Sequence, residues 1–598
     1  MAPALQSVQG PREHALVDQR VVMVSGVAIL IAVAAALVAE GLTHLIGFIT
    51  NISYYGRLSF EIVAPTLEYF GAWTILIPIA GALIVGVMAR YGSTAIRGHG
   101  IPEVMDNVLH ARSRIAPRLM FLKPLSSAVA IGTGGPFGAE GPIIATGGAM
   151  GSLGGQLLRV TADERKTLLA AGAAAGMSAT FGSPVSAVLL AIELLLFEFR
   201  PRSAVPVALA AATAAGVRAL LVGSEPVFAM ANIATPGPAA LASYTVLGLL
   251  IGVAAVGVTR AVYLVEDGFE RVPFHWMWWP AIGAVVVGAV GYIEPRTLGV
   301  GYYNIENILT GSMLWPGILT LVILKFVSWA VYLGSGTSGG TLAPLFTIGG
   351  GLGAVLGVGA AAWLPGLGVD PHVAALVGMA AIFAGASHTL LTSVVFAFET
   401  TRQPIGLLPL LAGCSAAYLV SLLMMRNSIM TEKLARRGAS VLTEYAVDHL
   451  TRVLVRDAAS REVVSLNAED AVTEVRERLA TVAGHHTHQG FPVLEESGDL
   501  IGVVTRRDLM AAATARTVRE AIKRPPAVAF EDSTLREAAD HMVREGVGRL
   551  PVVTRETPNR VTGIISRSDL LAAHQQRLRA AHRVEHSIAP LLRRRARR

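Results

Sequence analysis

The sequence has few charged residues and almost no cysteine. Only 15% of its 598 residues are Asp, Glu, Lys or Arg, whereas 53% are hydrophobic. A soluble globular protein carries about 25% charged residues, so the composition excludes that class. The single cysteine, Cys414, excludes a disulfide bond within the chain. The HExxH and P-loop motifs are also missing, so the sequence predicts neither of the enzyme classes that they mark.

Long runs without a charged side chain recur through the first 425 residues. They are Val21–Ala39, Trp73–Ala89, Thr167–Ile192, Pro226–Thr259, Phe274–Ile293, Phe326–Val369, Val373–Phe398 and Gln403–Met425. A helix crosses the ~30 Å hydrocarbon core of a bilayer with about 20 residues, so the runs predict a polytopic, all-α membrane domain. Residues 1–20 are polar, and the first apolar run is longer than the core of a signal peptide. We therefore expect a cytoplasmic N-terminal segment there rather than a cleaved signal.

The composition changes after Met425, and no later run is long enough to span a bilayer. We therefore divide the chain into a membrane domain, residues 21–438, and a soluble region that begins near residue 443. One connection of the membrane domain is rich in basic residues, which favours the cytoplasmic side for it. Its basic residues are Arg90, Arg97, Arg112, Arg114, Arg118 and Lys123. The tail, residues 576–598, is also basic, and we expect a solvated end there rather than a nucleic-acid contact.

The membrane domain contains an internal repeat. At an offset of 202 residues, GTGGPFGAEGPIIATGGAMG (residues 132–151) lies over GSGTSGGTLAPLFTIGGGLG (residues 334–353), with glycines and a proline at matching positions. A later block repeats at an offset of 206 residues, and both of its copies end in a glutamate, Glu193 and Glu399. The order and spacing of the blocks predict two halves, about 21–222 and 239–438. Because duplicated transporters often have halves of opposite orientation with helices broken near the midplane, we expect two inverted repeats.

Three short segments place glycines before a proline in the pattern of a helix start. They are GHGIP (residues 98–102), GAEGP (residues 138–142) and GTLAP (residues 340–344). A helix N-terminus inside the membrane offers unpaired N–H groups and about half a positive charge, which suits an anion. Glu140 is the only ionisable residue between Lys123 and Arg159. A carboxylate in a membrane is expensive and usually functional, so Glu140 is a candidate site residue.

These segments resemble the signature loops of the CLC chloride channels and transporters, which read GSGIP, GREGP or GKEGP, and GIFAP. The resemblance extends to SPVSAVLLAIE (residues 183–193) and to NSIMTEKLARRG (residues 427–438). It implies a homodimer with one anion pathway per subunit, each built from two inverted halves, and it implies that Glu140 is the gating glutamate. The residues that it implies for anion binding are His99, Gly100, Ile101, Gly141, Thr341, Leu342 and Met430.

The chain departs from the family pattern at four positions. His99 and Met430 replace a serine and a tyrosine whose hydroxyls reach the central anion in many members, and Leu342 replaces a phenylalanine. Leu194 occupies the place at which an inner glutamate relays protons in many exchangers of the family. Uncoupled channels lack that glutamate, and so do some exchangers. The sequence therefore favours a passive channel and leaves a proton-coupled exchanger of chloride or another halide as the alternative.

The soluble region contains a repeat of its own, in which Thr505 and Asp508 recur 61 residues later as Ser566 and Asp569. Short β-branched runs preceded by helical patterns predict two βαββα units, an α+β module that resembles a tandem of CBS domains. The predicted bounds of the units are residues 443–515 and 516–575. In that family the Thr or Ser hydroxyl and the Asp carboxylate contact the phosphate and ribose of adenine nucleotides such as ATP, ADP or AMP. The same pattern is also typical of a helix N-cap, and both interpretations stay open.

These features predict a multi-pass protein of a bacterial inner or plasma membrane, with cytoplasmic CBS domains, that transports a small anion and requires no cofactor. The anion that the resemblance implies is chloride. A membrane enzyme is weakly supported because its motifs are missing, and a transport-like fold that acts as a sensor is a further alternative. His485, His486 and His488 lie close together without cysteine or carboxylate partners. We expect a solvated loop and no metal site there.

Overall fold

The computed structural model describes residues 19–438, 450, 453–481, 489–512 and 515–582. The chain forms two compact units, a helical one within Leu16–Thr443 and a smaller one within Glu444–Arg598. The N-terminal segment before residue 19, the histidines at 485, 486 and 488, and the basic tail after residue 582 lie outside the described residues.

The first half of the membrane unit is a chain of helices of very different lengths. They are α1 (Gln19–Thr50), α2 (Leu76–Val87), α3 (Ile101–His110), α4 (Leu119–Gly132), α5 (Glu140–Leu157), α6 (Ala162–Phe181), α7 (Pro184–Leu190) and α8 (Pro201–Val222). A π-helical segment, Ala191–Leu196, continues α7. Short helices such as α3 cannot cross a bilayer, because a crossing takes about 20 residues.

The second half repeats this order of long and short helices. Its helices are α9 (Pro238–Glu270), α10 (Trp279–Ile293), α11 (Tyr302–Leu309), α12 (Trp315–Gly334), α13 (Leu342–Trp363), α14 (Pro371–Ser387), α15 (Leu390–Thr401) and α16 (Leu407–Met424), and α17 (Glu432–Arg436) follows. Each helix from α1 to α8 thus has a counterpart eight helices later. Within the described residues, eight helical segments are long and apolar enough to cross a membrane. Together these features make the unit a multi-pass membrane domain built from two repeats.

The equivalent helices α7 and α15 pack side by side and point in opposite directions. The Glu193 carboxylate, after α7, accepts hydrogen bonds from the backbone N–H groups of Leu391 and Thr392 at the start of α15. In return, the Glu399 carboxylate near the end of α15 accepts from the N–H groups at the start of α7, at 2.9 and 2.8 Å. Each glutamate therefore caps the helix that carries its counterpart. This reciprocal contact is the arrangement that inverted repeats produce.

Glycines of the repeated blocks allow helices to touch backbone to backbone. A Cβ at Gly147 of α5 would strike the carbonyl of Gly172 in α6, and a Cβ at Gly349 of α13 would strike that of Gly378 in α14. Close helix approach at small residues is the usual form of packing inside a membrane. The glycine pattern of the sequence thus reflects the same helix pair built twice.

The smaller unit contains two three-stranded sheets of identical topology. The first has β1 (Leu466–Asn467), β2 (Gly490–Leu494) and β3 (Leu500–Thr505), with helices α19 (Val472–Thr481) and α20 (Arg506–Ala511), and α18 (Val455–Ala458) precedes β1 in the chain. The second has β4 (Ala529–Phe530), β5 (Arg549–Val553) and β6 (Val561–Ser566), with α21 (Leu535–Arg544) and α22 (Arg567–His582). In each sheet the first pair of strands is parallel and the second antiparallel. The predicted βαββα order is therefore present in both units.

The two βαββα units of the smaller unit exchange segments, and these segments lie on both sides of the predicted boundary at residues 515 and 516. Leu454 pairs with Thr534 and Ser460 with Ile564, so the start of the region packs on the second unit. Ala471 pairs with Thr517, which follows the boundary but packs on the first unit. The two units are therefore interlocked, and the exact domain bounds stay a prediction.

Candidate anion pathway

Three glycine-containing loops meet inside the membrane unit. The N–H of Gly340 donates to the carbonyl of Gly138 at 2.9 Å, and the N–H of Gly98 donates to the carbonyl of Thr337, also at 2.9 Å. A Cβ at Gly141 would strike the carbonyl of His99 and approach Gly340. The loops around residues 98, 138 and 340 therefore touch directly through their backbones, although they are far apart in the sequence.

Each of these loops ends at the start of a helix. The helices are α3, α5 and α13, whose first residues are Ile101, Glu140 and Leu342. Pro102, Pro142 and Pro344 follow within the first turn of each helix, where a missing N–H costs no hydrogen bond. The first N–H groups of a helix have no partner within it. Three positive helix ends are thus gathered in one place, which is a suitable setting for an anion.

Glu140 is fully buried at this meeting point. Tyr302 Oη donates a hydrogen bond to Glu140 Oε1 at 3.0 Å. The carboxylate lies against Gly138 and Gly340, and a Cβ at either residue would collide with it. Glycine at these two positions therefore gives the carboxylate room to lie where α5 and α13 begin.

His99 lies in the loop before α3 with 6% of its surface exposed. Its Nδ1 is buried and has no hydrogen-bond partner among the described residues. The charged groups around the ring are Glu103, Lys433 and Lys123. Glu103 in turn accepts hydrogen bonds from the N–H of Gly100 at 2.8 Å and from Lys433 Nζ at 2.9 Å. The imidazole therefore sits beside an ion pair with one nitrogen available to a ligand.

The remaining predicted anion-binding residues are buried close to these loops. Thr341 and Leu342 form the N-terminus of α13, and neither has more than 1% of its surface exposed. Met430 is fully buried in the segment between α16 and α17. That segment is tethered by hydrogen bonds of Ile429 to Ala386 and to Tyr263, and the backbone of Ile429 lies beside the His99 ring.

Leu194 and Glu193 lie in the π-helical segment that packs against α3. Leu194 is buried and apolar. The Glu193 carboxylate is held by two backbone N–H groups and by the Thr392 hydroxyl at 2.5 Å. The acidic residue next to Leu194 is therefore engaged in capping α15, and Leu194 itself offers no group that binds a proton.

Three residues of the site were not predicted from the sequence, namely Tyr302, Lys123 and Lys325. Both lysines are buried and donate hydrogen bonds to backbone carbonyls of loops at the site. Lys325 could have been identified from the sequence, because it is a lone cation within an apolar stretch. Tyr302 carried none, because tyrosine in an apolar sequence is ordinary.

In the smaller unit, both Thr/Ser–Asp pairs are hydrogen-bonded at the start of a helix, as in an N-cap. Asp508 Oδ2 accepts from the Thr505 N–H at 3.0 Å, and Thr505 Oγ1 accepts from the Asp508 N–H at 3.1 Å. Asp569 Oδ2 accepts from both the N–H and the hydroxyl of Ser566 at 2.7 Å. Lys523 Nζ also lies 2.7 Å from Asp508 Oδ1. Burial raises the pKa of Asp508, but the Lys523 and Thr505 hydrogen bonds outweigh it, so that pKa lies below its usual value.

The chain is similar in sequence to known protein families and to several named proteins. The CBS domain family matches residues 455–515 and 518–575. The H(+)/Cl(-) exchange transporter ClcA of Vibrio parahaemolyticus is 30% identical over 376 residues, which are 60% of this chain and 80% of that protein. Chloride channel protein CLC-f of Arabidopsis thaliana is 32% identical over 370 residues, which are 57% of this chain and 46% of that protein.

The fold has solved counterparts as well. The crystal structure of a slow cyanobacterial Cl-/H+ antiporter covers 71% of this chain and 99% of its own, with a TM-score of 0.63 and 20% identity. That similarity is one of fold. The voltage gated chloride channel family matches residues 80–422, more than half of the chain. The chain therefore belongs to the voltage-gated chloride channel (CLC) family, as a multi-pass membrane protein with a C-terminal pair of CBS domains.

Proposed function

We propose that the protein conducts small anions, chloride first, through a passive pathway that Glu140 gates. The observation that carries the proposal is the position of the Glu140 carboxylate where α5 and α13 begin, against Gly138 and Gly340. A carboxylate and a halide compete for the same partial positive charge. The ionised side chain therefore occupies the place of an anion and blocks the path, and protonation removes the charge that holds it there.

The anion itself is proposed to contact the backbone of Gly100, Ile101 and Gly141 and the N-terminus of α13 at Thr341 and Leu342. His99 Nδ1, which has no partner among the described residues, supplies a side-chain donor when it carries a proton. Met430 supplies no donor, since a thioether is only a weak acceptor. Many members of the family have a serine and a tyrosine hydroxyl at these two positions. We therefore expect an order of anion selectivity that differs from theirs.

A passive channel is favoured over proton-coupled exchange by the groups near the inner end of the path. Leu194 cannot bind a proton, and the Glu193 carboxylate accepts hydrogen bonds from the N-terminus of α15. The similar proteins include both an exchange transporter and a channel by name, so exchange is the second candidate. An exchanger would use Glu140 as a proton carrier as well as a gate.

The proposal is tested with purified protein in liposomes. We expect chloride efflux that rises as the pH falls, and we expect that an imposed chloride gradient moves no protons uphill. Stoichiometric proton movement would establish exchange instead. Absence of any anion flux would reject transport and favour a sensor.

We further propose a homodimer in a bacterial plasma membrane, with the CBS pair in the cytoplasm as a modulator of the flux. The basic residues of the connection between α2 and α4 support this orientation. The proposed ligand of the pair is an adenine nucleotide, contacted by Thr505, Asp508, Ser566 and Asp569. Titration of the full-length protein with ATP, ADP and AMP, followed by flux measurements at saturating nucleotide, tests both binding and effect.

A further inference from the structure

The two buried lysines form equivalent clamps in the two halves. Lys123 Nζ of α4 donates to the carbonyls of Ile96 and Gly98 at 2.8 and 2.7 Å. Lys325 Nζ of α12 donates to the carbonyls of Thr297 and Gly299 at 2.9 and 3.1 Å. The lysines are 202 residues apart, the offset of the glycine loops. Each lysine thus fixes the loop that leads into a short helix, α3 in the first half and α11 in the second.

The two clamped helices present different groups to the site. The loop before α3 carries His99 and Gly100, which lie against Gly141 at the start of α5. Helix α11 begins at Tyr302 after Gly301, which adopts a positive φ of 73°. The Tyr302 hydroxyl reaches Glu140 Oε1 at 3.0 Å. It is the one side-chain hydroxyl that donates to Glu140 in the described part of the chain.

The Tyr302 ring is fixed by aromatic neighbours. It packs edge-on against Phe181 of α6 and Phe228, with centroids 5.8 and 6.0 Å away. Edge-to-face packing restricts the orientation of a ring, and a tyrosine keeps its hydroxyl in the plane of that ring. The direction of the Tyr302 hydroxyl is therefore set by α11, by Lys325, which holds the loop before α11, and by these two rings.

We propose that Tyr302 holds the ionised Glu140 side chain in its blocking position, and that Lys325 is the positioning residue that fixes the N-terminus of α11 for this purpose. This proposal rests on the gating function proposed above. A donor to a carboxylate stabilises the ionised form more than the protonated form. Tyr302 therefore lowers the pH at which the gate opens.

The effect can be separated from that of other charges near the gate. The charged group that faces Glu140 from another element is Lys325 of α12, while Tyr302 is the hydroxyl that faces it from α11. Tyr302→Phe removes the hydroxyl and leaves the ring packing and Lys325 in place. Loss of a hydrogen bond to a charged group shifts the equilibrium about tenfold, which moves the midpoint of acid activation upward by about one pH unit.

The experiment measures chloride efflux from liposomes against pH for the wild type and for Tyr302→Phe. The matched control is Tyr303→Phe, because Tyr303 is the next residue of the same helix and its hydroxyl donates to the Arg296 carbonyl rather than to Glu140. We expect an upward shift of about one pH unit for Tyr302→Phe and none for Tyr303→Phe. Both variants are repeated in a Glu140→Gln background, where we expect Tyr302→Phe to have no further effect.

The outcomes separate the inference from the proposed function. An unchanged pH profile in Tyr302→Phe, with flux that still depends on Glu140, overturns the inference and leaves the gate intact. An equal loss of flux in both backgrounds assigns Tyr302 a structural role and also overturns it. Flux that does not respond to Glu140→Gln rejects the gate, and the inference with it. Lys325→Met is expected to shift the pH midpoint upward, and to shift it less in the Tyr302→Phe background, because part of its effect acts through the position of the Tyr302 hydroxyl. Equal shifts in both backgrounds would assign Lys325 a direct effect of its charge on Glu140 and would overturn its positioning role.

Discussion

The two halves of the membrane domain share their framework and differ in what they place at the site. Both contain the same order of helices, a buried lysine that clamps a loop, and a glutamate that caps the helix of the opposite half. Glu140 of the first half has Leu342 as its counterpart at the offset of 202 residues. When the first residues of α3 and α11 are aligned, His99 has Val300 as its counterpart. The second half instead contributes Tyr302, whose hydroxyl contacts Glu140.

The difference separates the features that belong to the scaffold from those that belong to the proposed gate. Features present in both halves, such as the lysine clamps and the glutamate caps, position helix N-termini. We propose that features present in only one half determine gating and anion selectivity. Substitutions at shared positions should therefore alter stability or position, whereas substitutions at unshared positions should alter gating and selectivity.

The largest effect on chloride flux is expected from substitution of Glu140, with Leu342 as the control position in the second half. Glu140→Ala removes the blocking carboxylate, and a gate that is closed nine-tenths of the time then passes about ten times more chloride at neutral pH. Leu342→Ala changes the size of the path and leaves the acid dependence in place. Efflux from liposomes at several pH values checks both. Acid dependence that survives in Glu140→Ala would break the contrast between the halves.

A smaller effect is expected at His99 and Val300, which precede the clamped helices. His99→Ser replaces the imidazole by a hydroxyl and should change the relative permeability of chloride, bromide, nitrate and fluoride by a few-fold, since one hydrogen bond contributes about 1 kcal/mol. Val300→Ser is the control at the equivalent position. Reversal potentials in planar bilayers measure the permeability ratios. Equal ratios in the wild type and both variants would remove His99 from the path.

The glutamate caps should respond alike in the two halves. Glu193→Gln and Glu399→Gln each remove a charge from a helix N-terminus and are expected to destabilise the membrane domain by about 1–2 kcal/mol. Glu193 makes the additional contact with the Thr392 hydroxyl, so its substitution should cost slightly more. Thermal unfolding of the detergent-solubilised protein measures the difference. A change in the pH dependence of chloride flux in Glu193→Gln alone would show that this residue takes part in transport.

The smallest effect is expected in the CBS pair, where the two units also differ. Lys523 pairs with Asp508, and no ion pair to Asp569 is present in the residues that the structure describes. Because the pKa of Asp508 is lowered in the folded state, the contribution of the pair is complete above about pH 4, near the unfolded-state pKa, and is lost as the pH falls through the lower folded-state pKa. The Lys523 side chain is 66% exposed, so Lys523→Ala should cost at most about 0.5 kcal/mol. Thermal unfolding at pH 7 and at about pH 2, below the usual pKa of an aspartate, checks this: a loss that is equal at both pH values would contradict it.

Much of the scaffold could be predicted from the sequence, because close backbone packing and burial in a membrane restrict the residue type at individual positions. Glycine is required where backbones touch, as at Gly138 and Gly340, and these glycines produced the visible repeat. Glu140 stood out because an isolated carboxylate in an apolar stretch is costly. The contact between Tyr302 and Glu140 joins residues 162 positions apart. No local pattern predicts it, since it depends on how α11 is oriented by Lys325 and the rings around it.

The proposed gate depends most directly on the charge of Glu140. Chloride efflux from liposomes should therefore be measured between pH 4 and pH 9 for the wild type and for Glu140→Gln, in which a neutral amide replaces the carboxylate. The account predicts wild-type flux that rises as the pH falls, and high flux at every pH in Glu140→Gln. The same pH dependence in both proteins would contradict it.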